Sequence, residues 1–127
     1  MRDRETIGLA VSAAETGNLV LGTLHTPSAI KTVDRIIDVF PEDQQNQVRT
    51  MLSVTLKGVC AQLLLPATDG KGRVPVNEIL LGSFGMGHII REARDSKLLP
   101  LIQSSVAAGT TNMDEAILHR YTAPDSP

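Results

Sequence analysis

The chain has 127 residues, 42% hydrophobic and 20% charged, with a net charge of −2; this is enough for one core and gives no reason to divide the chain into two domains. Near-neutral charge, with two phenylalanines, one tyrosine and no tryptophan, leaves neither an electrostatic nor a stacking basis for binding nucleic acid. No stretch approaches the roughly 18 consecutive apolar residues of a membrane helix and the charged start is not a signal peptide, which predicts a cytoplasmic protein that meets a membrane only through a partner.

In chain order, Asp3 caps a first helix in which Ile7, Ala10, Val11 and Ala14 recur at helical spacing, and Gly17 ends it. Asn18 to Leu24 reads as a buried strand. Thr26 and Pro27 supply an N-cap and a first-turn proline for a second helix with Ile30, Val33 and Ile37 on one face and Lys31, Asp34, Arg35 and Asp38 as a solvated one. Pro41, Glu42 and Asp43 open a third helix with a Val48, Met51, Leu52, Leu56, Val59 stripe, its end blurred by Gly58.

Residues 59–65 and 73–81 read as two strands joined by the hairpin turn Asp69-Gly70-Lys71-Gly72, with Pro75 at an edge, a bulge or near the strand's start. Cys60, the only cysteine, excludes an internal disulfide and a cysteine-based zinc site, and reads as a small hydrophobe buried among Val59, Ala61 and Leu63. Met86, Ile89, Ile90 and Ala93 then recur at helical spacing, Leu98 to Val106 forms a short helix, and Met113, Ala116 and Ile117 mark a last amphipathic segment. Ala123 to Pro127 reads as a frayed tail.

Chemistry concentrates at His25, in the run Gly22-Thr23-Leu24-His25-Thr26. An imidazole just beyond a buried strand can touch a ligand at the carboxyl edge of an α/β sheet; an ordinary solvated loop histidine has the same sequence. His88 and His119 read as exposed helix residues, and no two of the three histidines have metal-ligand spacing, so no metal site is expected. A P-loop requires spaced glycines followed by Lys and Ser/Thr. The only Gly-Lys step is Gly70-Lys71, followed by Gly72, which belongs to the turn.

Arg2 to Ile7, Ala13 to Gly17, Leu19 to Thr26, Lys31 to Pro41 and Gly70 to Val74, in this order, closely resemble the secretion ATPase superfamily, and most of all its PilT-type twitching-motility branch. The passage from Leu65-Pro66 straight to Asp69-Gly70, without the four-cysteine zinc element common in assembly and secretion motors, favours that retraction branch. The resemblance implies an α/β fold: the C-terminal portion of a RecA-like P-loop NTPase domain lacking the P-loop half, over residues 1–122, with 123–127 a flexible tail.

It implies equally a piece of a hexameric motor in which ATP hydrolysis drives pilus disassembly. ATP and Mg²⁺ would serve the intact family member and neither would be held by this chain alone. The partners would be motor subunits, in a homo- or hetero-hexamer, and an inner-membrane pilus platform protein. By the same resemblance His25 is the second histidine of the His box and the catalytic candidate, while Arg2, Asp3, Glu5 and Thr26 are candidates on the nucleotide side. For Asp3 and Glu5, plain helix capping and dipole complementation is the rival reading.

Two departures stand out. Gly17-Asn18 replaces the usual Gly-His of the box. Gly85-Met86-Gly87-His88-Ile89-Ile90-Arg91-Glu92 stands where the family has an Ala-Ile-Arg-Asn-Leu-Ile-Arg-Glu output helix, so Ile89, Ile90, Arg91 and Glu92 are retained and Gly87 replaces an arginine. Met1 falls just beyond the Walker B glutamate. The resulting expectation is a chain that does not hydrolyse ATP alone and is marginally stable or self-associating, because the strand near Leu19 lacks its neighbours. A non-catalytic interaction module that assembles with or regulates full-length motor subunits is the alternative.

Overall fold

A computed structural model of the chain describes residues 3–94, 97–104 and 109–122. Three helices come first: α1 (Arg4–Glu15), α2 (Ala29–Asp38) and α3 (Glu42–Thr55). An antiparallel hairpin of β1 (Gly58–Pro66) and β2 (Arg73–Leu81) follows, then α4 (Phe84–Arg91), α5 (Leu98–Ser104) and α6 (Met113–Thr122). The mixed α/β content agrees with the sequence. Arg2 and the tail at 123–127 lie outside the described residues.

Local chemistry explains most boundaries. The Asp3 side chain accepts from the Thr6 N–H at the start of α1. At its end Gly17, with φ of 93°, donates to the Ala14 carbonyl and Asn18 to that of Ala13, the paired bonds of a Schellman turn. Pro41 precedes α3 with Glu42 and Asp43 in its first turn. Gly70 and Gly72 supply the left-handed residues of the hairpin turn, and Pro75 sits near the start of β2, opposite Leu64.

The core gathers Ile7 and Val11 of α1, Val33 and Ile37 of α2, Leu52 of α3, Leu80 of β2, Met86 and Ile90 of α4, and Leu98 and Ile102 of α5. The stripes read from spacing for α1 to α4 supply these faces, apart from Val59 and Ala93, while the Met113, Ala116 and Ile117 stripe of α6 is only half-buried and stays outside the core. Helix α2 covers the hairpin, α3 crosses α4, and α6 lies along β2.

Five expectations are corrected. Asn18 to Leu24 is neither helix nor strand and forms no ladder with any described residue, and Leu19 and Leu21 are 81% and 89% exposed, so the segment is not a buried strand. A short apolar run such as Leu19 to Leu21 has the composition of a strand; a buried strand also needs a partner edge and a covering layer. The N-cap of α2 is Ser28, whose hydroxyl accepts from the Lys31 N–H, and Thr26 and Pro27 precede the helix.

Cys60 is exposed rather than buried. The pleat of β1 turns Ala61 inward, with Val59 and Leu63 half-buried on the same face, and Cys60 the other way. Val59 belongs to β1 and not to the stripe of α3. Ala93 lies beyond α4 in the left-handed conformation, φ 56°, where its N–H and that of Arg94 close a second Schellman turn on Ile90 and Ile89.

Candidate functional site

A groove of about 1490 Å³ runs between the second half of α1, residues 17–27, the end of α3 and β1. Glu15, Asn18, His25, Thr26, Lys57 and Gln62 are among the polar residues on its walls. His25 is exposed, so its ring is accessible to a solute.

The loop that carries His25 is fixed immediately downstream. Thr32, buried in α2, donates its hydroxyl proton to the Ser28 carbonyl at 2.9 Å, and its oxygen stands 2.6 Å from that of Thr26. A hydroxyl has a single proton, so Thr26 is the donor of that second bond. Ser28 caps α2, and the Ala29 N–H at the first helical position donates to the Glu78 carboxylate at 2.7 Å. Residues 26 to 29 are thus held by α2 and by β2.

The other candidates on the nucleotide side lie elsewhere. Asp3 and Glu5 sit in the first turn of α1, whereas the groove is lined by Ala10 to Glu15 near its other end. Thr6 donates to Asp3 through its backbone N–H at 2.8 Å and through its hydroxyl at 3.2 Å. The backbone bond, first in effect, and the hydroxyl bond hold the Asp3 carboxyl below the usual aspartate range. The structure therefore gives Asp3 its capping role and does not bring it to His25.

Asn18, expected from the resemblance at the first His-box position, turns back to α1: its side-chain amide donates to the Ala13 carbonyl at 3.2 Å and the Thr16 hydroxyl at 3.1 Å. In the output stretch, Ile90 is fully buried and Ile89 partly so, while Arg91 and Glu92 are exposed. Arg91 donates to the Ser53 hydroxyl at 3.3 Å, and Arg49 donates to the Ile90 carbonyl at 3.2 Å. This stretch rests on α3, away from the groove walls.

Glu78 was missed from the sequence, although a signal was present. It shares its phase in β2 with Val76 and Leu80, which places an acid on the buried face of the strand. Asn112, 4% exposed, caps α6 by accepting from the Glu115 N–H at 2.9 Å.

With this geometry in place, the chain belongs to the type II/IV secretion system protein family, whose description matches residues 1–97. Among its relatives, it is 50% identical over 117 residues to a twitching motility protein of Neisseria gonorrhoeae, covering 92% of this chain and 31% of that protein. It is 46% identical to the type IV pilus retraction ATPase PilT of Pseudomonas aeruginosa, covering 90% of this chain and 33% of that one. The chain thus spans about a third of the length of these relatives.

The fold agrees. A crystal structure of the pilus retraction motor PilT with bound ADP superposes with a TM-score of 0.83 at 43% identity, over 95% of this chain and 33% of that one. The ATPase DotB of Legionella pneumophila superposes at 0.79 and 26% identity, over 95% and 32%. The chain therefore has the α/β architecture of part of a motor ATPase domain, as its sequence led us to expect. No described helix is long and apolar enough to cross a membrane.

Proposed function

We propose that these residues are the His-box and output portion of a pilus-retraction motor ATPase, working on ATP together with a P-loop that this sequence does not carry. The observation that carries this reading is identity of 46–50% to a retraction ATPase and a twitching motility protein over at least 90% of the chain.

In this reading the exposed His25 imidazole donates a hydrogen bond to the terminal phosphate and registers its loss. Thr26 serves by holding the loop, because its hydroxyl proton is committed to Thr32. Phosphoryl transfer depends on positioning and charge stabilisation more than on covalent chemistry, so a residue that only orients the phosphate end is a sufficient contribution. Arg2 and Glu5 belong to the edge of the nucleotide site through residues beyond this chain, and Asp3 supports them as the cap of α1.

Among the described residues no group of three or more His, Cys, Asp or Glu side chains gathers to hold a metal. In this reading the Mg²⁺ that accompanies ATP is held by the nucleotide and by the P-loop Ser/Thr of the rest of the motor. The intact protein would act as a hexamer of motor subunits at the cytoplasmic face of the inner membrane, against a pilus platform protein, with Ile89, Ile90, Arg91 and Glu92 on the output side.

The test is a chimera in which this chain replaces the corresponding third of P. aeruginosa PilT. The chimera is expected to hydrolyse ATP, and His25→Ala to lower kcat about 100-fold or more, the scale of losing one transition-state charge stabiliser. Undiminished hydrolysis with His25→Ala overturns the role of His25. A folded chimera that assembles without hydrolysing ATP favours the non-catalytic interaction module.

A further inference from the structure

We infer that Glu78 is a positioning residue that ties the His25 loop and helix α6 into one unit. The residue is 4% exposed, and its carboxylate divides its two oxygens between two helix starts. Oε1 accepts from the Ala29 N–H at 2.7 Å, and Oε2 from the Met113 N–H at 3.1 Å. These are the first residues of α2 and α6, 49 residues before and 35 residues after Glu78 in the chain.

A helix N-terminus offers unpaired N–H groups and a partial positive charge. Each of these helices has a conventional cap of its own, Ser28 for α2 and Asn112 for α6, and Glu78 takes a further N–H from each. An apolar residue at this place, matching Val76 and Leu80 in the strand, would pack but leave both donors buried without a partner.

The arrangement reaches His25 through a short path. Glu78 holds Ala29, Ser28 caps the same turn, and Thr26 and Ser28 are both bonded to Thr32. Thr26, the first residue of this clamp, directly follows His25 in the chain. On the other side of Glu78, the segment before α6 adds to the free edge of β2, where Ile79 and Thr111 exchange both backbone hydrogen bonds at 2.8 Å. The Glu78 carboxylate therefore joins the His25 loop directly to the start of α6, beside the backbone pairing of Ile79 with Thr111. For its meaning in a motor this rests on the proposed role of His25, but the positioning itself is measured without nucleotide, so either can fail without the other.

The chemistry provides a test, because an amide has one acceptor oxygen where a carboxylate has two. Glu78→Gln can serve only one of the two N–H groups. NMR on the 127-residue chain is expected to show about tenfold faster exchange at the Ala29 or the Met113 amide, together with shifted His25 ring signals. Val76→Ala, which removes buried volume from the same face of β2 without touching a cap, should lower the melting temperature and leave the His25 signals in place. Unshifted His25 signals in Glu78→Gln, or an equal shift in Val76→Ala, overturn the inference. Should Glu78→Gln fail to fold, native-state exchange of the unsubstituted chain decides: Ala29 and Met113 amides opening with one shared free energy support the tie, and openings at separate free energies overturn it.

Discussion

The α-carbon of Gly87 on α4 lies against the backbone carbonyl of Ser53 on α3, closer than any Cβ could be accommodated. An arginine here, as in the output motif that this stretch resembles, would hold the two helices further apart. Gly87→Ala is expected to destabilise the chain by about 1–3 kcal/mol through overpacking. Gly85→Ala, whose new methyl would make only ordinary contact with Leu101, should be neutral or slightly stabilising. Paired thermal melts check the contrast.

Ala93 offers the opposite change. It is exposed and holds the left-handed conformation that ends α4, a position that disfavours every residue with a Cβ. Ala93→Gly should stabilise by up to about 1 kcal/mol, the relieved strain exceeding the added flexibility of the unfolded chain. Chemical denaturation with an unchanged slope would show this.

Asp3 makes the cap of α1 pH-dependent. Its carboxyl titrates below the ordinary value of 3.8 because the Thr6 N–H, then the Thr6 hydroxyl, bond the charged form. A depressed folded-state value means that the contribution is complete above that ordinary value and is lost as pH falls through the lowered one. Protection of the Thr6 amide should follow this course, and Asp3→Asn should keep the cap while removing its pH dependence.

Leu19 and Leu21 present apolar side chains to solvent on a segment with no strand partner among the described residues. Leu19→Ser with Leu21→Ser should reduce concentration-dependent association seen by light scattering and leave the melting temperature nearly unchanged, because neither side chain is part of the core. A large drop in melting temperature would mean that these residues are packed.

What was legible in the sequence was local. Gly17 at the end of α1, Pro41 before α3 and the Asp69 to Gly72 turn each act through backbone geometry within a few residues, so their spacing was sufficient. What depended on distant partners was not. The pattern of Leu19 to Leu24 is that of a strand, but a strand's environment is set by its neighbours. Thr26 and Ser28 are both competent caps, and the helix starts at Ala29, whose N–H is taken by Glu78 from 49 residues away, so the choice of Ser28 rests on a partner that local spacing does not reveal.

Of the candidate site, His25 drew attention by its place after an apolar segment, and the resemblance added the role expected of it, whereas the clamp beneath it, Thr32, Ser28 and Glu78, joins residues up to 49 apart. The period-two phase that aligns Glu78 with Val76 and Leu80 was visible, and the same phase would have turned Cys60 outward.

Complementation of a P. aeruginosa strain lacking PilT, using the chimera that carries this chain in place of the corresponding third, tests the central claim most directly. The account predicts restored twitching with the chimera and none with its His25→Ala form. A chimera that is folded and present at the parental level yet leaves the cells without twitching would contradict it.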